Sequence, residues 1–195
     1  YSVFVVGSNV YTAGNDGDVA KVWKNDKELY ELSSNNANAR SVFVADDKVY
    51  TAGYEGKVAK LWKNKSATDL TDGSKSATAN SVFVAGSNVY VAGNDGYVAK
   101  VWKKGSELFA FTDGSKYAGV LSVFVVGEDV YTAGYENNGT NNVAKVWKNK
   151  KEIFHTSGSK EAIANSVYVV GDDVYVAGYE DDAAKVWKNG EELYE

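Results

Sequence analysis

The stretch VAKVWK, which first occurs at residues 19–24, returns four times along this chain. The later copies read VAKLWK, VAKVWK, VAKVWK and AAKVWK, and they begin at Val58, Val98, Val143 and Ala183. The tryptophans fall at positions 23, 62, 102, 147 and 187, so successive copies are 39, 40, 45 and 40 residues apart. Self-similarity at such a period indicates one structural unit used five times, with neighbouring units sharing a core.

Each unit predicts four short strands. The first, SVFVV at residues 2–6, is an almost continuous apolar run and is typical of a strand packed on both faces. A tight turn leads to VYTAG, and a loop of about four residues leads to VAKVWK. In this arrangement Ala13 lies opposite Ala20, and Tyr11 lies opposite Val22. The fourth strand, ELYEL, alternates polar and apolar residues as an outer edge does, and a linker of roughly ten residues follows.

Four antiparallel strands in each repeat match the blade of a β-propeller. The predicted fold is therefore all-β, a five-bladed β-propeller that forms a single domain. Its blades span about 1–40, 41–80, 81–121, 122–165 and 166–195. The chain starts with an inner strand and ends with an outer one, so no strand is shared between the termini. The ring is then expected to close by packing of blade five against blade one, and this junction should be the first to open.

The segment SVFVAGSNVYVAGNDGYVAKVWK, residues 81–103, resembles the first three strands of a WD repeat, with the aromatic residue on the third strand. The resemblance extends over the whole chain, unit by unit, and implies a propeller. In this chain, however, Lys rather than Asp follows each Trp, and the linkers contain no Gly-His pair. Lectin-like five-bladed propellers and bacterial propeller repeats are similar to the same degree.

Composition excludes several functions. The net charge of −5 and the pI near 5.0 argue against nucleic acid as a partner, because phosphate binding needs a basic face. No apolar run approaches the ~18 residues of a membrane span. The chain has no cysteine and one histidine, His155, so we expect no metal site, no cofactor and no enzyme activity. We expect a monomer. The chain does not begin with Met, and a processed product at a secreted or cell-surface location is slightly favoured.

The loop between the second and third strands carries an acid in every unit: Asp16, Glu55, Asp95, Glu136 and Glu180. The residue before the acid is Asn15, Tyr54, Asn94, Tyr135 or Tyr179. Each acid is expected to accept backbone N–H groups of its own turn. The alternative is a repeated pocket in which the acid and its Tyr or Asn neighbour bind a polar ligand such as a sugar, or, less favoured, calcium. Four residues just before the inner strands should stand at the mouth of the central channel: Arg40, Asn80, Leu121 and Asn165.

The alanines beside each repeated motif leave room for a large side chain from a neighbouring blade. We therefore expect the tryptophans to fill blade-to-blade interfaces: Trp23, Trp62, Trp102, Trp147 and Trp187. The lysine two positions before each Trp should lie along an aromatic ring or pair with a nearby acid. The fourth unit has a longer loop, ENNGTNN, which we interpret as a tolerated surface insertion.

These features favour a non-catalytic propeller that binds a protein or glycan partner, or acts as a scaffold, through the face with the longer loops. A lectin with several equivalent sites is the first alternative, and a hydrolase that uses the acidic loops is the second. Near-identical units without Pro, Cys or Met also fit a designed or recently amplified repeat protein with no evolved ligand.

Overall fold

The computed structural model describes residues 2–33 and 36–194, which form twenty β-strands. Blade one contains β1 to β4, at Ser2–Val6, Asn9–Asp16, Val19–Lys24 and Lys27–Ser33. Blade two contains β5 to β8, at Ala37–Ala45, Lys48–Glu55, Val58–Lys63 and Ser66–Asp69. Blade three contains β9 to β12, at Ala77–Ala85, Asn88–Asp95, Val98–Lys103 and Ser106–Ala110. Blade four contains β13 to β16, at Ala118–Val126, Asp129–Asn137, Asn142–Lys148 and Lys151–His155. Blade five contains β17 to β20, at Ala162–Val170, Asp173–Glu180, Ala183–Lys188 and Glu191–Tyr194.

Each blade is one antiparallel sheet of four strands that are consecutive in the chain. The predicted five blades, with no strand shared between the ends of the chain, are therefore confirmed. The first strands of the blades lie side by side, and one aromatic ring from each forms a ladder: Phe4, Phe43, Phe83, Phe124 and Tyr168. Neighbouring rings in the ladder are separated by 4.4 to 5.1 Å between centroids. The fourth strands form the exposed rim, as in β8, where every residue is exposed.

The innermost strands of blades two to five are nine residues long and begin before the Ser-Val pairs that were expected to open them. The linkers are correspondingly shorter than predicted, and one of them covers residues 70–76. Each of these strands contains a β-bulge, in which one extra residue interrupts the pairing with the second strand. The extra residues are Arg40, Asn80, Leu121 and Asn165.

The predicted pairing of the second and third strands was wrong by two residues. Ala13 lies opposite Val22, and Asn15 lies opposite Ala20. The strands continue as far as Asp16 and Val19, so the connecting loop is shorter than the expected four residues. Because a shift of two residues leaves every side chain on its original face, the expected grouping of the alanines on one face and Trp23 on the other is unchanged.

The turn between the third and fourth strands owes its shape to asparagine. Asn25 and Asp26 have φ values of 49° and 63°, the left-handed pair of a type I′ hairpin turn. The Oδ1 atom of Asn25 also accepts a hydrogen bond from the Val10 N–H at 2.8 Å. The same bond recurs at Asn64, Asn149 and Asn189, so in four blades the Asn after the Trp-Lys pair ties the turn to the second strand, whereas blade three has Lys104 at this position.

Neighbouring blades pack through two different faces. We call the face that carries the two alanines of each blade the trailing face, because it contacts the next blade along the chain. The opposite face is the leading face. Between blades two and three, Ala52 and Ala59 lie in one cluster with Trp102. Trp147 meets the alanines of blade three in the same way, and Trp187 meets those of blade four. Small side chains on one blade thus accommodate a large ring from the next.

Two buried threonines should be replaceable with a gain in stability. The hydroxyls of Thr51 and Thr132 are buried without a hydrogen-bond partner, and the equivalent position in blade three is Val91, which is also buried. Because an unpaired buried hydroxyl is costly, we expect Thr51→Val and Thr132→Val each to raise the free energy of unfolding by about 1 kcal/mol. Urea denaturation measures this gain. Thr12→Val, on the partly exposed leading face of blade one, is the matched control and should have a smaller effect.

Candidate functional site

The long-loop face is built from the hairpins between the second and third strands and from the linkers between blades. The backbone joins them, since the Gly96 N–H donates to the Ser76 carbonyl at 3.0 Å and the Ala118 N–H donates to the Tyr97 carbonyl at 3.1 Å. The hairpin of blade three is thereby held between the linkers on either side of it. The concavities of this face lie between hairpin and linkers.

The loop acids form ion pairs with lysines of their own blades. Asp16, Glu55, Asp95 and Glu136 contact the lysine two positions before the tryptophan at 2.7 to 3.2 Å. The lysines concerned are Lys21, Lys60, Lys100 and Lys145, and each also contacts an acid of the fourth strand. Hydrogen bonds from Lys60 and then Ser33 lower the pKa of Glu55, and the Glu28 and Asp16 carboxylates raise the pKa of Lys21. These side chains pair with lysine rather than with the N–H groups of their own turns.

The structure does not bring each acid together with its Tyr or Asn neighbour. The two residues are consecutive in a strand, as are Tyr54 and Glu55 in β6, so their side chains leave opposite faces of the sheet. Glu55 turns to Lys60, while the ring of Tyr54 lies 5.5 Å from the Arg40 guanidinium. The loop was expected to span about four residues, whereas β6 continues as far as Glu55 and β7 begins at Val58. A pocket shared by the two residues of one blade is therefore not formed.

The four bulge residues meet at the axis, where Arg40, Asn80, Leu121 and Asn165 line a cavity of about 340 Å³. Arg40 is the only arginine of the chain. It donates a hydrogen bond to the Asn80 Oδ1 atom at 3.0 Å, and the Asn80 amide donates to the Val120 carbonyl at 2.8 Å. A bulge redirects the side chain of its extra residue. The bulges of blades two to five direct their four extra side chains into the same cavity.

One concavity of the long-loop face lies beside two tyrosines that do not recur in the other blades. It has a volume of about 500 Å³, and its lining includes Tyr97, Tyr117, Asn94 and Asp113. The rings of Tyr97 and Tyr117 meet edge to face at 5.4 Å, yet the two residues are 57% and 45% exposed. Tyr117 also contacts the Tyr135 ring at 5.6 Å. Burial and the hydrogen bond with Tyr117 raise the pKa of Tyr135 well above its usual range.

Comparisons with known proteins support the architecture. Neither the protein-family models nor the curated proteins contain a match to this chain. Among solved structures, the WD40 beta propeller domain of Doa1 matches with a TM-score of 0.65 and 20% sequence identity. The alignment covers 99% of this chain but 66% of that one. The fold is that of a WD-repeat-like β-propeller. The resemblance noted in the repeats thus extends to three dimensions, although Lys stands where WD repeats have Asp.

Two further concavities of the propeller have charged side chains in their linings. One of about 410 Å³ is lined by Glu136, Lys145 and His155 among others, and one of about 290 Å³ by Glu180 and Lys185 among others. His155 contacts Glu152 at 2.8 Å. Across residues 2–33 and 36–194, no group of three or more His, Asp or Glu side chains is arranged to hold a metal ion. The same part of the chain has no helix with the length and apolar character needed to cross a membrane.

The insertion in blade four is an ordered part of this face. The Asn138 Oδ1 atom accepts hydrogen bonds from the N–H groups of Thr140 and Asn141, at 3.0 and 2.9 Å. The Asn142 N–H and side-chain amide both donate to the Glu161 carboxylate at 2.7 Å. The insertion is therefore fastened to the linker that leads to blade five, and deleting it would disturb that linker as well.

Proposed function

We propose that this propeller is a non-catalytic binding module that holds an extended segment of a protein partner beside Tyr97 and Tyr117. The observation that carries the proposal is the exposed tyrosine pair on the wall of the 500 Å³ concavity. Tyrosines offer a large contact area with few rotatable bonds, and they are enriched where proteins bind each other. Exposed aromatic rings beside a concavity of this size provide an anchor point for an apolar side chain.

The polar groups around the tyrosines suit a peptide backbone. The Asn94 side-chain amide donates to the Gly96 carbonyl at 2.9 Å, which leaves its oxygen to accept a hydrogen bond from a ligand. Asp113 accepts the Ser115 N–H at 2.8 Å, and bonds from Ser115 lower the pKa of Asp113. Lys75 lies on the same lining. An apolar anchor with a few fixed acceptors and both signs of charge around it is the usual composition of a peptide-binding groove.

The site occurs once in the propeller, and this favours a protein segment over the repeated sugar sites of a lectin. The positions equivalent to Tyr97 in blades one, two and five are Asp18, Lys57 and Asp182. The positions equivalent to Tyr117 at the other linkers are Asn36, Ser76 and Glu161. Five nearly identical blades therefore present one aromatic pair, whereas a lectin of repeated sites would present the same side chains in each blade.

Selection from a random peptide display library against the whole chain tests the proposal. We expect enrichment of peptides with an aromatic or aliphatic anchor, and at least a tenfold weaker dissociation constant by calorimetry for Tyr97→Ser and Tyr117→Ser. Tenfold corresponds to about 1.4 kcal/mol, within the range for truncating a buried anchor. The matched control is Tyr194→Ser, which removes a 66% exposed tyrosine from the rim and should leave binding unchanged.

Two outcomes would overturn the proposal. If peptides bind the Tyr97→Ser and Tyr117→Ser variants as tightly as the unchanged chain, the tyrosine concavity is not the site. If a glycan array gives hits that these variants lose while no peptide is enriched, the partner is a sugar.

A further inference from the structure

The four interfaces between consecutive blades are copies of one another. In each, two valines of an innermost strand, such as Val42 and Val44, are buried against the preceding blade. In each, a serine of the preceding blade accepts a hydrogen bond from a valine N–H at 3.1 to 3.2 Å: Ser2 to Val42, Ser41 to Val82, Ser81 to Val123 and Ser122 to Val167. The trailing face of one blade and the leading face of the next thus form a fixed pair of complementary surfaces.

The leading face of blade one and the trailing face of blade five are not covered in this way. Val3 and Val5 on blade one are 61% and 58% exposed, whereas the equivalent Val42 and Val44 are 3% and 8% exposed. At the other end of the chain, Ala177 and Ala184 on blade five are exposed, whereas Ala52 and Ala59 are fully buried. The terminal blades therefore expose to solvent the surfaces that every other blade buries.

Within residues 2–33 and 36–194, blade five does not bury the leading face of blade one, contrary to the expected closure of the ring. Each core cluster of the described residues joins two consecutive blades, and none contains residues of both blade one and blade five. In particular, the bond from the Val3 N–H to the Ser166 hydroxyl, which would be the fifth of its series, is not formed within residues 2–33 and 36–194. The aromatic ladder ends in the same way, because Tyr168 contacts Phe124 but not Phe4, and it is 56% exposed.

We propose that the leading face of blade one and the trailing face of blade five bind each other between two copies of this chain, head to tail. The surface that fits a trailing face carries two buried valines in all four interfaces and, in three of them, a tryptophan in the same cluster. Blade one presents these residues as Val3, Val5 and the partly exposed Trp23. The occupant of blade five's open face is therefore blade one of a second copy.

Association between copies leaves the four existing interfaces as they are. Closure within one chain would instead have to change the angle at several interfaces at once, and closely packed cores resist such deformation. Because the two faces differ, the contact is heterologous, so it generates a ring only if the rotation closes and otherwise adds further copies. The self-association involves none of the residues that line the tyrosine concavity, so the two proposals can fail separately.

Sedimentation velocity over a series of protein concentrations tests the inference, with one variant that blocks each end. Val3→Asp together with Val5→Asp places charge on the leading face, and Ala184→Arg places a large charged group on the trailing face. All three residues are exposed in the isolated chain, so these changes are compatible with folding. The unchanged chain should associate with rising concentration, and each variant alone should stay monomeric.

Mixing the two variants gives the sharpest result. Together they retain one intact leading face and one intact trailing face, so we expect a 1:1 dimer and nothing larger. Leu108→Asp and Ala67→Arg make the same kinds of change on the exposed outer strands of blades three and two, and these control variants should associate like the unchanged chain. An unchanged chain that stays monomeric at every concentration overturns the inference, as does a single blocked variant that still dimerises through its other end.

Discussion

Replacing Trp102 with alanine is expected to lower the free energy of unfolding by about 3–5 kcal/mol, the range for removing a large aromatic side chain from a core. Trp102 is almost fully buried and lies in one cluster with Ala52 and Ala59 of the preceding blade. Those alanines cannot extend into the space that the indole leaves, so a cavity remains between blades two and three. Chemical denaturation monitored by circular dichroism measures the change.

Trp23 provides the matched control, because it occupies the same position on the leading face of blade one but is partly exposed. Trp23→Ala should cost about 1 kcal/mol, since the indole is already partly in water. The comparison is made in the Ala184→Arg background, which prevents a second copy from covering Trp23. Equal losses for the two substitutions would contradict the role of tryptophan as blade-to-blade packing.

The repeated motif was sufficient to predict the architecture. Five tryptophans at a period near 40 residues predicted five blades, and the apolar and polar runs between them predicted which strand is innermost and which is on the rim. Both predictions depend on hydrophobic patterning within one unit, which is a local property of the sequence. The complementarity of alanine and tryptophan could also be anticipated, because it requires only knowledge of which residues share a face.

The predictions that were wrong or incomplete concern features set by backbone geometry. A bulge adds a residue without changing the pattern of apolar residues on either side of it, so Arg40 was placed near the axis without a reason for its direction. Ring closure depends on the angle between neighbouring blades. Small differences in this angle add up over all the interfaces, so the sequence of a single repeat does not predict closure. The repeat pattern gave no indication of Tyr97 and Tyr117, because this pair occurs only once in the sequence.

The lysine contacts bear on the hypothesis of a hydrolase that uses the acidic loops. A carboxylate that acts as a general acid needs a raised pKa, which burial or a neighbouring like charge provides. Glu55 has instead a lowered pKa because Lys60 and Ser33 donate to it. The repeated acid and lysine pairs join the second, third and fourth strands of one blade, as Lys100 does with Asp95 and Glu107. These contacts support a structural role for the loop acids within each blade.

Replacing Gly93 with alanine is expected to lower the free energy of unfolding by about 4 kcal/mol or more, a loss of the size seen when a core network is broken. Gly93 lies opposite the bulge at Asn80, where the two strands approach closely. A Cβ atom at this position would lie 1.9 Å from the Thr78 carbonyl oxygen and 3.0 Å from the Ala79 Cα atom. Both are backbone atoms of a strand held by its ladder, so relief requires the strands to separate.

Gly119→Ala is the control for this prediction, because its added Cβ would meet only the Tyr135 side chain, at 3.4 Å. The equivalent residues in blades two, three and five are Asn38, Thr78 and Ile163, so a side chain fits there. Separation of the strands in Gly93→Ala should also release Asn80 from the Val120 carbonyl and so alter the cavity at the axis. Thermal denaturation reports the loss of stability, and amide exchange of Phe83 and Tyr90, which lie opposite each other in the two strands, reports where the strands part. Unchanged exchange at these two residues would show that the bulge absorbs the extra carbon, contrary to the geometry described above.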